Sequence, residues 1–488
     1  MTDYDKRRAP NPQHIATTAA APPPLSPADL AARYPSNLVL RLVQFVHRHA
    51  ERTPVSPWIQ HLVQPVHNDC LVGSFLELQS TVGGAAGARQ TYRKALFNAA
   101  TWDEDVPSHH VHAAPSLSTC YHGQLTDRGR STMAGIGASL RDLYVTKLKF
   151  LPANLSHPSL VYLRSTDYPR TLESLHSLFD GLFPPATRSG AVAASDPLII
   201  YSRSPVGYDN SYADYECARY RALRKQFDAI VHPQLANEYK TWSPKLQSLL
   251  HSKHGAVAAF DVLVSSLAHN WDVDITPDEF ETLRTASTRQ WFDYISMYPE
   301  FPKLMIGRFV TEIHELQQHV VDTPPMAAAA APSIGAVSPS PPRPSPLPAT
   351  EFSMHVQHMA DFKADVPPKM AVYAGHDTTI VPLLAALDLW QGENKQWPYF
   401  ASHIAFETFQ DTTVVKADPT NRDPAASHYV RVLYNDEPQH LPACADKIAH
   451  HPSGDTSLCT FAAFRALVAE VGETRKQHIE NCKIKKWD

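Results

Sequence analysis

The heptapeptide RHAERTP at residues 48–54 sets a histidine beside one arginine and three positions before another. An imidazole is a competent nucleophile toward phosphorus at neutral or mildly acidic pH. Guanidinium groups hold phosphoryl oxygens through charge-assisted, often bidentate hydrogen bonds. His49 is therefore a candidate nucleophile, with Arg48 and Arg52 as candidate phosphate ligands. Taken alone, such a triplet is more often an exposed basic turn, so the rest of the chain has to supply the other parts of a site.

It supplies two. In GHDTT at 375–379, His376 offers another donor for a phosphate, and Asp377 offers a carboxyl group that can protonate a departing alkoxide. In RSTDYPRT at 164–171, Arg164 and Arg170 are further cations, each of which could instead pair with Asp167 or Glu173.

All three motifs follow apolar runs. Residues 38–47 read as a buried strand that breaks at once into polar chemistry, which is how open α/β sheets deliver ligand groups to their carboxyl edge. Residues 160–163 and 370–374 repeat the pattern, each followed by a turn and a helical stretch. Gly181 marks the end of the first of these helices, Gly375 permits a sharp turn before the second, and Thr378 or Thr379 can cap it. Another helix is expected after Thr126 or Asp127, where Met133, Ile136, Leu140 and Leu143 or Tyr144 recur at helical spacing. Residues 199–202 offer one more short strand, and IAFETFQ and HYVRVLYND read as two paired edge strands. The stretch from RHAERTP to about Gln124 reads as polar and irregular.

At 488 residues the chain is long for one compact core, and 43% hydrophobic content lets it bury a large one. The expected organisation is a Pro/Ala-rich disordered segment at 1–36, an α/β body at 37–204 and 351–488, a helical cap inserted at 205–321, and a disordered Pro/Ala-rich linker at 322–350. A formal charge of -5 argues against a nucleic-acid binder, and no apolar run reaches the roughly 20 residues of a membrane span. The amino terminus has no apolar core of a signal peptide, which favours a cytoplasmic or mitochondrial protein over a secreted one. His109, His110 and His112 in SHHVH invite a metal, but no spaced partners or carboxylates converge on them, and the six cysteines show no CxxC or Cys/His zinc spacing. No metal is assigned.

The three motifs in this order resemble those of the histidine acid phosphatases, the second branch of the histidine phosphatase superfamily. GQLTDRG, TLESLHSLFDGLF and VPLLAALDLWQGENKQWPYFASHIAFETF are similar to the lysophosphatidic acid phosphatase group within it. The resemblance implies a three-layer α/β sandwich around a mixed sheet, of the phosphoglycerate-mutase kind, with an inserted helical cap. It implies that His49 becomes a phosphohistidine, that Asp377 donates the proton, and that Arg48, Arg52, Arg170 and His376 hold the phosphate, while Arg164 supports its loop. No cofactor is implied, since arginines do the charge neutralisation that Mg²⁺ does elsewhere. It also implies disulfides between Cys444 and Cys459 and between Cys217 and Cys482, at odds with the missing signal. One departure stands out: the family's usual glycine after the nucleophile is Ala50 here, which would cost on the order of 1 kcal/mol or more if the position needed positive φ.

The expected activity is hydrolysis of phosphomonoesters. A phosphotransferase or mutase would share the phosphohistidine step, and a weakly catalytic phosphate- or lipid-binding relative would account for Ala50. Val55, Trp58 and Ile59, with no lysine among them, suit a leaving group with an apolar tail better than a polyphosphate, unless Trp58 and Ile59 are simply core residues.

Overall fold

The computed structural model of the chain describes residues 17–19, 25–55, 70, 75–79, 89–93, 120–189, 198–203, 209–250, 255–271, 273–323, 367–417 and 423–484. Its strands are β1 (Leu38–Arg48), β2 (Phe75–Gln79), β3 (Arg89–Arg93), β4 (Val161–Ser165), β5 (Met370–Gly375), β6 (His403–Asp411), β7 (His428–Tyr434), β8 (Glu437–Pro438) and β9 (Leu458–Thr460). Seven of them form one mixed sheet in the order β4-β5-β1-β6-β7-β8, with β9 also on β7.

The register explains why the motifs meet. β4, β5 and β1 are parallel, with Ser165 opposite Ala374 and Arg48 opposite Gly375. Three parallel strands therefore end together at one edge of the sheet, and the turns after them leave it side by side.

Both faces of β1 are covered, so its sequence is a nearly continuous apolar run. Alternate residues serve different layers. Val43 and Phe45 join a cluster with Leu163, Met370 and Val372 and with the helices Asp127–Leu140 and Pro169–Leu182. Leu42 and Val46 join a second cluster with Ala371, Tyr373 and the helices Phe301–Asp322, Asp377–Ala386 and Phe461–Val471. That second cluster runs on without a break into the helices Ala218–Tyr239, Gly255–Ala268 and Pro277–Phe292. The expected sandwich around a mixed sheet is the fold found.

Several local readings need correction. Gly181 does not end its helix: a Cβ there would stand 2.0 Å from Ala134 O, so it allows two helices to touch through their backbones. β6 and β7 pair as expected, yet β6 is an interior strand, between β1 and β7. Tyr201 makes an isolated bridge to Arg164 rather than a strand. The stretch before Gln124 contains the antiparallel pair β2–β3. The helix after β5 begins at Asp377, with His376 as its N-cap and Thr379 Oγ1 accepting the His376 N–H at 3.1 Å.

The N-terminal segment is ordered where it is described. Ser26 caps helix Pro27–Arg33, because its hydroxyl accepts the Asp29 N–H, and Thr18 bridges to Phe400. All six cysteines are bonded, as Cys70–Cys120, Cys217–Cys482 and Cys444–Cys459. Neither the cysteine spacing nor the family resemblance pointed to the first of these. His109, His110, His112, Trp58, Ile59 and residues 324–366 lie outside the described residues. No described helix is long and apolar enough to cross a membrane.

Candidate active site

His49 is the first residue beyond β1, pinned on both sides by backbone. Its N–H donates to Gly375 O at 3.0 Å, and its carbonyl accepts the Ala401 N–H at 3.1 Å. The ring Nδ1 lies 2.9 Å from Ala50 O. A carbonyl oxygen can only accept, so Nδ1 carries the hydrogen and the neutral ring keeps its lone pair on Nε2. Burial, then the charges of Arg170, Arg48 and Arg52, hold this imidazole well below its usual 6.5. It is a neutral base even in mild acid.

His376 sits edge-on to it, with ring centres 5.6 Å apart, and its Nε2 is 3.0 Å from Thr166 Oγ1 in the turn after β4. Burial and the same three arginines keep His376 neutral too.

The arginines differ in their engagement. Arg48 Nη2 is 3.0 Å from Asp377 Oδ2, its Nη1 donates to Pro398 O, and its guanidinium lies 4.7 Å over the Phe400 ring. Arg52 Nη2 is 2.8 Å from Asp261 Oδ1. Arg170 rests on the Tyr168 ring at 4.9 Å and makes no ion pair among the described residues. Burial lowers Arg48 and Arg170 to about 10, which leaves both charged at neutral pH. Arg164 points elsewhere: it is buried against Glu312, Asp209 and Asn210, a structural anchor for its loop.

A cavity of about 210 Å³ is walled by His49, Arg52, Arg170, His376 and Asp377, together with Tyr168, Tyr212, Tyr215 and Trp291. A second, of about 410 Å³, shares Arg52, Trp291 and Asp377 with it and continues over Val55, Val257, Phe260, Val264 and Trp397. Two neutral imidazoles, three guanidiniums and one carboxylate at the mouth of an apolar trough form a site suited to one phosphoryl group and its leaving group.

Ala50 is not among the described residues with positive φ. Its methyl is buried in the core, its N–H points to Ser174 Oγ at 3.3 Å, and the strain anticipated for a non-glycine there is absent. Sequence reasoning missed Asp261, Trp397 and Phe400. Asp261 accepts from Arg52 and, at 2.7 Å, from the Val55 N–H, while Trp397 Nε1 donates to Asp377 Oδ2 at 3.1 Å. No local signal marks them, since each sits in an ordinary helical or loop sequence far from the motifs it serves.

The sequence model of the histidine phosphatase superfamily, branch 2, matches residues 39–281 and 348–435, which include Arg48, His49, Arg52, Arg170, His376 and Asp377. The chain belongs to this family. As a histidine phosphatase of branch 2 it is a phosphoric monoester hydrolase. A probable acid phosphatase of Schizosaccharomyces pombe is 23% identical over 486 residues, covering 89% of this chain and 92% of that one. Human lysophosphatidic acid phosphatase type 6 is 25% identical over 393 residues, covering 77% and 75%. The apo form of a Hafnia alvei phytase superposes with a TM-score of 0.51 at 15% identity over 92% of this chain and all of that one, a likeness of fold.

Proposed function

We propose that this histidine phosphatase hydrolyses phosphomonoesters in two steps through a phosphohistidine at His49. The carrying observation is the commitment of His49 Nδ1 to Ala50 O, which leaves Nε2 as the attacking atom beside Arg52, Arg170, His376 and Asp377. In the first step an N–P bond forms at Nε2 and the P–O bond to the alcohol breaks. Arg48 turns from Asp377 to the phosphoryl oxygens, and Asp377 takes up the proton of the incoming phosphate monoanion and passes it to the departing oxygen. In the second step Asp377 takes a proton from water, the oxygen attacks phosphorus, and orthophosphate leaves with His49 restored. Arg48, Arg52, Arg170 and His376 hold the three equatorial oxygens throughout.

The leaving group is read from the larger cavity. Each arginine on its wall faces a carboxylate on the same wall: Arg48 with Asp377, Arg52 with Asp261 and Arg224 with Asp228. Among the described residues of that wall no arginine or lysine is left over for a second phosphate, whereas Val257, Phe260, Val264 and Trp397 offer apolar surface. We read the substrate as a monoester with an apolar tail, lysophosphatidate-like, a class named for the human relative. Comparing kcat/KM for lysophosphatidate, glycerol phosphate and phytate tests this. A preference for the first supports the reading, and a preference for phytate contradicts it.

A further inference from the structure

Behind the wall of the phosphate cavity, residues 209–217 are fastened to the C-terminal helix Arg475–Asn481. Tyr212 and Tyr215 of this segment face the cavity. Asp214 and Cys217 of the same segment meet His478 and Cys482. His478 Nε2 is 3.0 Å from Asp214 Oδ2 and 3.4 Å from Cys482 Sγ, and Cys482 is bonded to Cys217. The donor atoms of Cys217, His478 and Cys482 all lie within 4.8 Å of one another.

We propose that, once this disulfide is reduced, Cys217, Cys482 and His478 together bind a zinc ion whose fourth ligand is a water, so that the segment is stapled in either redox state. Two thiolates, an imidazole and a water are a donor set for tetrahedral zinc. Zn–S bonds of about 2.3 Å and Zn–N bonds of about 2.0–2.1 Å put a tetrahedral S···N edge at roughly 3.5 Å. The existing separation of 3.4 Å between His478 Nε2 and Cys482 Sγ is close to that edge.

The surroundings are those of a metal-binding histidine. Nδ1 of His478 bonds to the buried Glu473 carboxylate, whose other oxygen accepts from Asn481 Nδ2 at 2.9 Å. A carboxylate behind the ring fixes its orientation and leaves Nε2 for the metal. Arg308 Nη2, 3.8 Å from Asp214 Oδ2, balances the extra negative charge of two thiolates and a carboxylate.

Backbone hydrogen bonds also hold the frame together. The Arg219 N–H donates to Cys482 O at 3.0 Å, and the Cys217 N–H to Asp214 O at 3.1 Å. His478 and Cys482 are four apart on one helical turn, which a Thr474–Gln477 capping box starts. HIENC at 478–482 thus carries a Cys/His spacing that the sequence reading denied, because its partner Cys217 in DYEC lies more than 250 residues away.

The chemistry balances with a dithiol as reductant. The dithiol gives two electrons and becomes a disulfide, and the Cys217–Cys482 bond becomes two thiols. Between the Glu473 and Asp214 carboxylates, both of which can only accept, the two ring nitrogens of His478 donate. Zinc then displaces two thiol protons and the Nε2 proton.

The test is titration of the full-length protein with Co²⁺, oxidised and after reduction by a dithiol and desalting, followed by competition with Zn²⁺. Reduced protein should show one equivalent of sulfur-to-cobalt charge transfer with tetrahedral d–d bands, displaced by Zn²⁺, and oxidised protein should show none. Cys482→Ser should abolish the bands. Glu473→Gln, which removes only the orienting carboxylate, should weaken metal binding about 10–100-fold. No thiolate–cobalt band in reduced wild-type protein overturns the proposal. So does a band that survives Cys217→Ser and Cys482→Ser but is lost with the Cys70–Cys120 or Cys444–Cys459 pair.

Discussion

Asp377 Oδ2 is shared between Arg48 Nη2 at 3.0 Å and Trp397 Nε1 at 3.1 Å, while Oδ1 accepts the Thr378 N–H at 2.8 Å. The carboxylate is thus aimed from the first turn of its helix toward the space above His49, and its cation is one that the incoming phosphate also wants. Asp377→Asn keeps the shape of the side chain and one acceptor oxygen but removes the acid. The expected loss is about 10²–10⁴-fold in kcat for alkyl phosphates and small for p-nitrophenyl phosphate, whose leaving group needs no proton. Rates across a leaving-group series check it, and an equal loss on every substrate would contradict the role.

The two neutral histidines make stability depend on pH. Both have folded pKa values well below 6.5, chiefly through burial and then through the arginines. Between 6.5 and those values the unfolded chain binds more protons than the folded one, so stability falls as pH is lowered through 6.5. Each histidine contributes a slope of up to about 1.4 kcal/mol per pH unit. His376→Gln should flatten the pH dependence of urea unfolding by about that amount between pH 6.5 and 5, and saturating orthophosphate should flatten it in the wild-type protein. An unchanged slope in the variant would show that His376 is not held neutral.

Asp261 bridges Arg52 and the Val55 N–H, joining helix Gly255–Ala268 to the turn after β1. Its charge faces the cavity where a second phosphate would lie. Asp261→Asn should raise kcat/KM for bisphosphorylated substrates relative to monophosphates by about fivefold to tenfold, about 1 kcal/mol of removed like-charge repulsion. A ratio that does not move would remove the electrostatic account of substrate choice.

The contact between helices Asp127–Leu140 and Pro169–Leu182 depends on glycine. A methyl at Gly137 would stand 2.0 Å from Leu178 O, and one at Gly181 equally close to Ala134 O. Gly181→Ala should cost about 1–3 kcal/mol in denaturant unfolding. KM should stay near the wild-type value, since neither glycine touches the cavity.

What was legible in the sequence was what short range dictates. Apolar runs ending in RHAERTP, RSTDYPRT and GHDTT announced three strands and the polar turns after them, and the parallel register brought His49, Arg170, His376 and Asp377 to one edge. Residues contributed across long separations stayed hidden. Asp261 reaches Arg52 from a helix whose apolar character suggests only packing, and Trp397 reaches Asp377 from a loop. The interior position of β6 was missed because the adjacent polar residues Glu407 and Thr408 interrupt its apolar run. Yet the Oε1 of its buried Glu407 accepts from the Tyr34 and Tyr144 hydroxyls, each at 2.8 Å, and Oε2 lies 3.7 Å from Arg431 Nη1. Ala50 looked like a defect because a glycine is usual there, and only the backbone angle shows that alanine fits.

The central claim is that phosphorus is carried on His49, and trapping the intermediate tests it most directly. Wild-type protein mixed with a ³²P-labelled monoester and denatured within the turnover time should yield a phosphoprotein that is stable in base and labile in acid, with the label on the peptide containing residues 48–54. His49→Ala should yield none and should not turn over. Label on another residue, or turnover by His49→Ala comparable to wild type, would contradict the account.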